Sequence, residues 1–219
     1  LANRIPRKIG RIGLCHLLTD RVGVRSEFTV YRLAEDRFYL VSAGMLERHD
    51  WDYLTKALPV DGRVQLRKVT SQYGVLVVAG PNSRSLLQRL TDRDLSNEAF
   101  PWLSGQPVNI GTADAHAIRV NFVGELGWEL HHPIETQNYI FDRLFEAGKE
   151  FDLKPFGIRA MDSLRLEKSY RLIPRELSVE YAALESGLER FVSWDKSDFV
   201  GKKGLDVWRQ RGFRWQFVT

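Results

Sequence analysis

The chain has 219 residues, of which 43% are hydrophobic and 27% are charged, a balance typical of a globular protein with a core of ordinary size. Its net charge of +4 comes from 32 basic and 28 acidic residues, and its densest basic run, residues 4–11, carries no interleaved aromatic residues, so we expect no nucleic-acid binding. No segment approaches the roughly 18 apolar residues of a membrane span, so we expect a soluble protein that does not bind a membrane.

The first predicted element is a β-hairpin. Residues 28–33 and 38–43 alternate β-branched or aromatic residues with polar ones, and the AEDR sequence between them is typical of a turn. Residues 45–57 carry spaced apolar residues among charges, which predicts an amphipathic helix that ends before Pro59.

The segment GVLVVAGPNSRSLLQRL, residues 74–90, predicts a buried strand, a break at Gly80-Pro81 and a helix that begins at Asn82 or Ser83. A loop is expected at residues 101–107, because prolines stand at both of its ends.

Further along, AHAIRVNF (residues 115–122) predicts a strand, and residues 134–149 predict a helix with one apolar face. The segment GIRAMDSLRLEKSYRL (residues 157–172) predicts another helix, with an apolar stripe that includes Ile158, and a short strand is expected near residues 191–194. Local strand pairs with irregularly interspersed helices predict an α+β fold with mostly antiparallel sheets and packed helices.

The segment GELGWEL, residues 124–130, places two glutamates four residues apart. In an extended chain Glu125, Gly127 and Glu129 share one face, and the three apolar residues of the segment share the other. A carboxylate beside a glycine suits a flat ligand with two parallel N–H donors, such as the edge of a pterin. An edge strand with both acids in water is the alternative.

The cysteine and histidine content indicates no metal site and no disulfide. Cys15 is the only cysteine, and the five histidines form neither an HExxH motif nor a Cys/His ligand set. A lone thiol fits a reducing compartment, so we expect a cytoplasmic protein, or a mitochondrial matrix protein if the source is eukaryotic.

Four segments together resemble the aminomethyltransferase (glycine cleavage T-protein) family. NFVGELGWEL is similar to the family's Gly-Glu-x-Gly-aromatic-Glu motif, and residues 157–172 resemble the helix that follows it. Residues 181–205 and residues 23–41 resemble two more segments of the family, and all four occur in the family's order. The detailed pattern looks closest to the folate-binding region of the flavoproteins that oxidise dimethylglycine and sarcosine.

This resemblance implies a T-protein-like folate-binding fold. We expect the chain to begin after the first part of that fold and to end before the C-terminal barrel of the family. It implies part of a hairpin-containing folate subdomain at residues 1–64 and a second folate subdomain, with the GELGWEL strand, at residues 65–195. Residues 196–219 are then the start of a connection to the barrel.

The resemblance also implies site residues. Glu129 matches the family glutamate that holds the pterin ring, Phe122 stands where a tyrosine lines the pterin pocket, and Trp128 is expected beside them.

Met161 stands where the family has a folate-contacting arginine, so that ionic contact is lost at this position. Arg159 and Arg165 are the two candidates to replace it, and Arg165 is taken as the site residue.

Glu27 matches the family's catalytic aspartate. Its side chain is one methylene longer, so its carboxylate reaches about 1.5 Å further.

The function implied is capture of a one-carbon unit on tetrahydrofolate by the folate region of a demethylating dehydrogenase. An N-methyl amine would be oxidised by a flavin domain, and FAD would be bound only in that domain, outside this chain. Two alternatives stay open: a stand-alone aminomethyltransferase of the glycine cleavage system, and a non-catalytic scaffold of the same fold. Self-association into an oligomer is possible through exposed apolar surface.

Overall fold

A computed structural model describes residues 1–212 and 214–218 of the chain. In this part the strands are β1 (Ile12–Leu18), β2 (Val24–Arg32), β3 (Phe38–Val41), β4 (Tyr73–Ala79), β5 (Gly105–Ile110), β6 (Ala113–Ile118) and β7 (Gly127–Pro133). The α-helices are α1 (Glu47–Lys56), α2 (Ser83–Gln88), α3 (Gln137–Gly148), α4 (Ile158–Glu167) and α5 (Lys202–Arg211). Within these described residues, no helix combines the length and apolar character needed to cross a membrane.

The chain divides into two compact units. Unit 1 contains Leu1–Lys68 together with the described residues from Arg171 onward, and unit 2 is Val69–Tyr170. The subdomains expected from the resemblance have different boundaries. The second of them is expected to extend to residue 195, whereas in the structure residues 171–195 belong to the same unit as the first part of the chain.

Unit 1 is built on an antiparallel sheet of β1, β2 and β3. The predicted hairpin corresponds to β2 and β3 and is confirmed. Burial alternates along β2, so that Phe28 and Val30 face a hydrophobic cluster while Glu27 and Thr29 lie on the other side and stay partly exposed. The register of the sheet sets His16 of β1 directly opposite Glu27.

Cys15 lies on β1 within the unit 1 core and is fully buried. Burial raises the pKa of its thiol from 9.0 to about 11. Because only the thiolate is nucleophilic, we expect a disulfide reagent at pH 8 to label the native thiol at least about 100-fold more slowly than the unfolded one.

Rate measurements in buffer and in denaturant test this expectation, and the native rate should rise about tenfold per pH unit toward pH 11. Labelling of the native chain as fast as the unfolded chain would contradict the buried position of Cys15.

Unit 2 is built on an antiparallel sheet with strand order β4-β7-β6-β5. One face of this sheet packs against α2 and α3 to form the unit's hydrophobic core, in which Trp128, Leu130, Ile140 and Leu144 are buried. The predicted α+β class with mostly antiparallel sheets is therefore confirmed.

The predicted strand at residues 191–194 is wrong. Glu189–Phe191 forms a 3-10 turn instead, and the backbone N–H of Val192 donates to the Glu189 carbonyl at 3.1 Å. A backbone N–H group that is used in a local turn is not available for hydrogen bonds to a neighbouring strand. The alternating pattern covers only four residues before charged residues follow, which is too short to favour a strand over the turn.

The loop predicted at residues 101–107 ends earlier in the structure, where a strand begins at Gly105. β5 begins at Gly105 and contains Pro107, opposite His116 of β6. Because β5 is the edge of the sheet, the missing N–H of Pro107 breaks no ladder hydrogen bond. The next strand, β6, ends at Ile118 rather than extending to residue 122.

Helix α4 forms where the sequence predicts a helix, but the apolar stripe does not form its buried face. Ile158 is 77% exposed, whereas Arg165, on the same helix, is 1% exposed. The end of α4 is held by the hydrogen bonds of the buried Arg165 side chain to Asp162 and Tyr170, not by apolar packing of Ile158.

Candidate functional site

The bend at residues 121–126 leads into β7 and is shaped by Asn121. Its side-chain oxygen accepts hydrogen bonds from the backbone N–H groups of Val123 and Gly124, both at 3.0 Å. Its side-chain nitrogen donates to the Glu125 carbonyl at 2.9 Å. Gly124 has φ +74°, and a Cβ at this position would stand 2.3 Å from the Lys168 side chain. The positive φ at this position favours glycine, and any larger residue would also have to displace the Lys168 side chain.

The same bend is tied to the adjacent part of the sheet. The Leu126 carbonyl accepts hydrogen bonds from the Gly80 N–H at 2.8 Å and from the Ser83 hydroxyl at 3.0 Å. A Cβ on Gly127 would lie 2.6 Å from the Val78 carbonyl oxygen, so the backbones of β4 and β7 approach closely here. The start of β7 is therefore fixed in position.

Glu129 is the second residue after this close approach. It pairs with Val77 of β4 and Ile118 of β6, and its side chain lies on the face of the sheet opposite the core, 22% exposed. Its Oε2 atom lies 3.1 Å from Nε2 of His131, which stands on the same face and is 1% exposed. The structure thus presents a partly exposed carboxylate that a buried histidine holds.

Glu125 does not share the strand with Glu129. β7 begins at Gly127, and Glu125 lies exposed in the preceding bend. The expectation that the two carboxylates line one strand face is wrong, because Asn121 keeps residues 122–126 out of the extended conformation.

A cavity of about 370 Å³ lies on the Glu129 side of the unit 2 sheet. Its lining includes His131 and, directly opposite in the register, His116. Its volume is within the range of small-molecule sites, and His131 connects its wall to the Glu129 carboxylate.

Phe122 lies in the bend and stacks on Tyr170, with ring centroids 6.1 Å apart and an angle of 28° between the planes. Both side chains are half-buried. The bend that leads to Glu129 therefore carries aromatic surface.

Trp128 lies on the opposite face of β7 from Glu129. Its side chain has 0% exposure, meets the Phe100 ring edge-on at 6.1 Å, and lies beneath the guanidinium groups of Arg84 and Arg119 at 5.8 and 5.5 Å. The structure therefore places this ring within the core and not beside the carboxylate.

Arg165 is also buried. Its Nε donates to the Asp162 carboxylate at 2.8 Å, and its Nη1 donates to the Tyr170 carbonyl at 2.9 Å. The Tyr170 N–H donates back to the Arg165 carbonyl at 2.9 Å. These bonds close α4 onto the turn that follows it.

Glu27, in unit 1, has a partner of the same kind as Glu129. Its Oε2 atom lies 2.8 Å from Nε2 of His16, with side-chain exposures of 21% for Glu27 and 1% for His16. The His16 ring also meets the Phe191 ring edge-on, with centroids 5.0 Å apart.

The sequence pattern does not predict His16 or His131 as site residues. β1 carries no clear alternation, so the register that pairs His16 with Glu27 is not visible in the sequence. For His131 the signal exists, because it stands two residues after Glu129 and therefore shares its face. Among the described residues, no group of three or more His, Cys, Asp or Glu side chains is arranged to hold a metal ion.

Comparison with known proteins adds a family. The sequence profile of the GCVT N-terminal domain matches residues 1–196. The chain is 38% identical over 219 residues to the mitochondrial dimethylglycine dehydrogenase of Mus musculus, which covers 99% of this chain and 25% of that protein. It is 32% identical over 198 residues to an aminomethyltransferase of Thermoanaerobacter sp. (strain X514), covering 90% of this chain and 53% of that protein. The chain thus spans about a quarter and about half of these two relatives.

A solved structure has the same fold. The glycine cleavage system aminomethyltransferase T from Bartonella henselae superposes with a TM-score of 0.73, at 23% sequence identity, over 94% of this chain and 54% of that one. At this identity the likeness concerns the fold alone, and it confirms the T-protein-like architecture expected from the four segments.

Proposed function

Because this chain belongs to the GCVT N-terminal domain family, we propose that it is a tetrahydrofolate-dependent one-carbon transfer region, and specifically that of a demethylating dehydrogenase of the dimethylglycine and sarcosine type. The 38% identity to a dimethylglycine dehydrogenase along 99% of the chain supports the specific assignment. In this proposal the N-methyl amine is oxidised by a flavin-binding part of a longer protein.

The observation that carries the proposal is the carboxylate of Glu129. It stands partly exposed on the sheet face away from the core, and its Oε2 is held by a buried histidine. The amino-pyrimidinone edge of a pterin offers two parallel N–H donors, which a carboxylate accepts in charge-assisted hydrogen bonds of roughly 1.5–3 kcal/mol each. The aromatic surface of Phe122 and Tyr170, of which Phe122 lies in the bend that precedes β7, suits a flat ring.

The proposed chemistry transfers one carbon without net oxidation. An iminium formed from the N-methyl group is attacked by a nitrogen of tetrahydrofolate, and the second nitrogen then displaces the amine. The products are methylene-tetrahydrofolate, the demethylated amine and one proton. We assign Glu27 as the carboxylate that accepts this proton, since its partly exposed Oε atoms are available for proton transfer.

The second candidate is a stand-alone aminomethyltransferase, which is favoured by the 32% identity to the Thermoanaerobacter protein. This candidate requires transfer from an aminomethyl-lipoyl carrier protein, and a direct assay with that carrier distinguishes the two.

Binding of tetrahydrofolate tests the proposal. In an anaerobic calorimetric titration we expect saturable binding by the chain, weakened by about 2 kcal/mol, or roughly 30-fold, in Glu129→Ala. Glu125→Ala is the matched control, because it removes an exposed carboxylate from the preceding bend and should leave the affinity unchanged.

Equal affinities for wild type and Glu129→Ala would contradict the placement of the pterin on Glu129. Absence of saturable binding by the wild-type chain would contradict the proposed function of the chain itself.

A further inference from the structure

Two buried histidines stand behind the two carboxylates to which roles have been assigned. His16 and His131 are each 1% exposed, and Nε2 of each ring lies within hydrogen-bond distance of Oε2 of a glutamate that is 21% or 22% exposed. Each pair occupies its own unit and its own sheet. In one case the partners face each other across two strands, and in the other they stand two residues apart on one strand.

The surroundings of His16 show why its ring points at Glu27. Nδ1 of His16 is buried and has no hydrogen-bond partner among the described residues, whereas Nε2 is 2.8 Å from the carboxylate. Only the tautomer protonated on Nε2 lets the ring donate to Glu27 without burying an unpaired N–H group at Nδ1. The geometry thus selects a defined donor for Oε2.

A purely structural role does not account for this ring. An apolar side chain at position 16 would pack against Phe191 without burying an unpartnered nitrogen, which costs free energy. The contact with Glu27 is an interaction that a side chain with an N–H donor can make at this position and an apolar side chain cannot.

We propose that His16 is a positioning residue for Glu27, and that His131 has the same role for Glu129. Each histidine donates to Oε2 and fixes the rotamer of the glutamate, and the remaining acceptor positions of the carboxylate stay available to the ligand. This inference rests on the proposed function for the roles of the two glutamates, while the hydrogen-bond geometry stands independently of it.

The first test is the effect of His16 on one-carbon transfer, measured as methylene-tetrahydrofolate formation from tetrahydrofolate and formaldehyde, a reaction that releases one water. Glutamine carries an N–H donor of similar reach, whereas leucine has none. We expect His16→Gln to keep the rate within about 3-fold of wild type and His16→Leu to lower it at least about 10-fold. Tetrahydrofolate affinity should stay within about 2-fold in both.

The second test is the effect of His131 on binding. We expect His131→Leu to weaken tetrahydrofolate binding about 10-fold and His131→Gln to keep it within about 3-fold of wild type. Rescue by the residue that retains a donor separates positioning from loss of packing.

A spectroscopic measurement needs no activity. Nitrogen-15 NMR of the wild-type histidine rings should show His16 protonated on Nε2 and unprotonated on Nδ1, with Glu27→Ala perturbing the Nε2 signal. A ring protonated on Nδ1 alone would overturn the inference whatever the rates show.

The remaining outcomes separate the two proposals. If Glu27→Gln abolishes transfer while His16→Leu keeps the wild-type rate, the positioning role is overturned and the proposed function stands. If the wild-type chain neither binds nor transfers, the proposed function fails, and the NMR spectrum still decides whether His16 donates to Glu27.

Discussion

Replacing Glu27 by glutamine is expected to lower the rate of one-carbon transfer to tetrahydrofolate by at least about 100-fold, because removing a positioned proton acceptor typically costs a factor of 10² to 10⁴. Glutamine has nearly the same shape, and its amide oxygen can still accept the hydrogen bond from His16, which lies 2.8 Å from the native carboxylate. The loss therefore isolates proton acceptance from packing.

The rate can be followed as anaerobic formation of methylene-tetrahydrofolate from tetrahydrofolate and formaldehyde, corrected for the uncatalysed reaction. Glu35→Gln is the matched control, since Glu35 is an exposed glutamate in the turn between β2 and β3 of the same sheet. We expect the control to have the wild-type rate and both variants to bind tetrahydrofolate with unchanged affinity. A Glu27→Gln chain that transfers carbon as fast as wild type would remove Glu27 from the mechanism.

Much of the fold can be predicted from the sequence because several segments have long and regular patterns. β2 alternates buried and partly exposed residues over its first seven positions, and α3 repeats its apolar residues over three turns. The break at Gly80-Pro81 separates β4 from α2 as the dipeptide predicts. In these segments the local preference and the packing agree.

The missed strands depend on partners that a local pattern does not contain. β1 (IGLCHLL) is buried along nearly its whole length, so its residues do not alternate in polarity. β5 contains a proline that is tolerated only because the strand lies at the sheet edge, a position set by the order β4-β7-β6-β5. Conversely, the strand expected at residues 191–194 has the right composition and no partner strand in the described structure.

The candidate site shows the same division. Glu129 can be predicted, because its position two residues beyond Gly127 puts it opposite the core residues Trp128 and Leu130. The exposed position of Glu125 cannot be predicted from the sequence, since it depends on the three hydrogen bonds made by the Asn121 side chain. The burial of Arg165 cannot be predicted either. Nothing in the sequence indicates that Arg165 and Tyr170, five residues later, form reciprocal hydrogen bonds.

The last prediction concerns Trp128, which the resemblance groups with the pterin site and the structure places in the core. Trp128→Ala is expected to reduce the free energy of unfolding by about 3–5 kcal/mol, because a fully buried indole leaves a large cavity. The substitution would also remove the edge-on contact with the Phe100 ring and the contacts of the Arg84 and Arg119 guanidinium groups with the indole.

Equilibrium denaturation followed by circular dichroism measures this loss, with Trp102→Ala as the matched control. Trp102 belongs to the same unit and is 62% exposed, so the identical substitution there should change stability by no more than about 0.5 kcal/mol. The milder variant Trp128→Phe keeps an aromatic ring in the core and should retain the wild-type affinity for tetrahydrofolate. A Trp128→Phe chain of near-native stability that has lost folate binding would instead place the indole in the ligand site, because core packing alone could not produce that result.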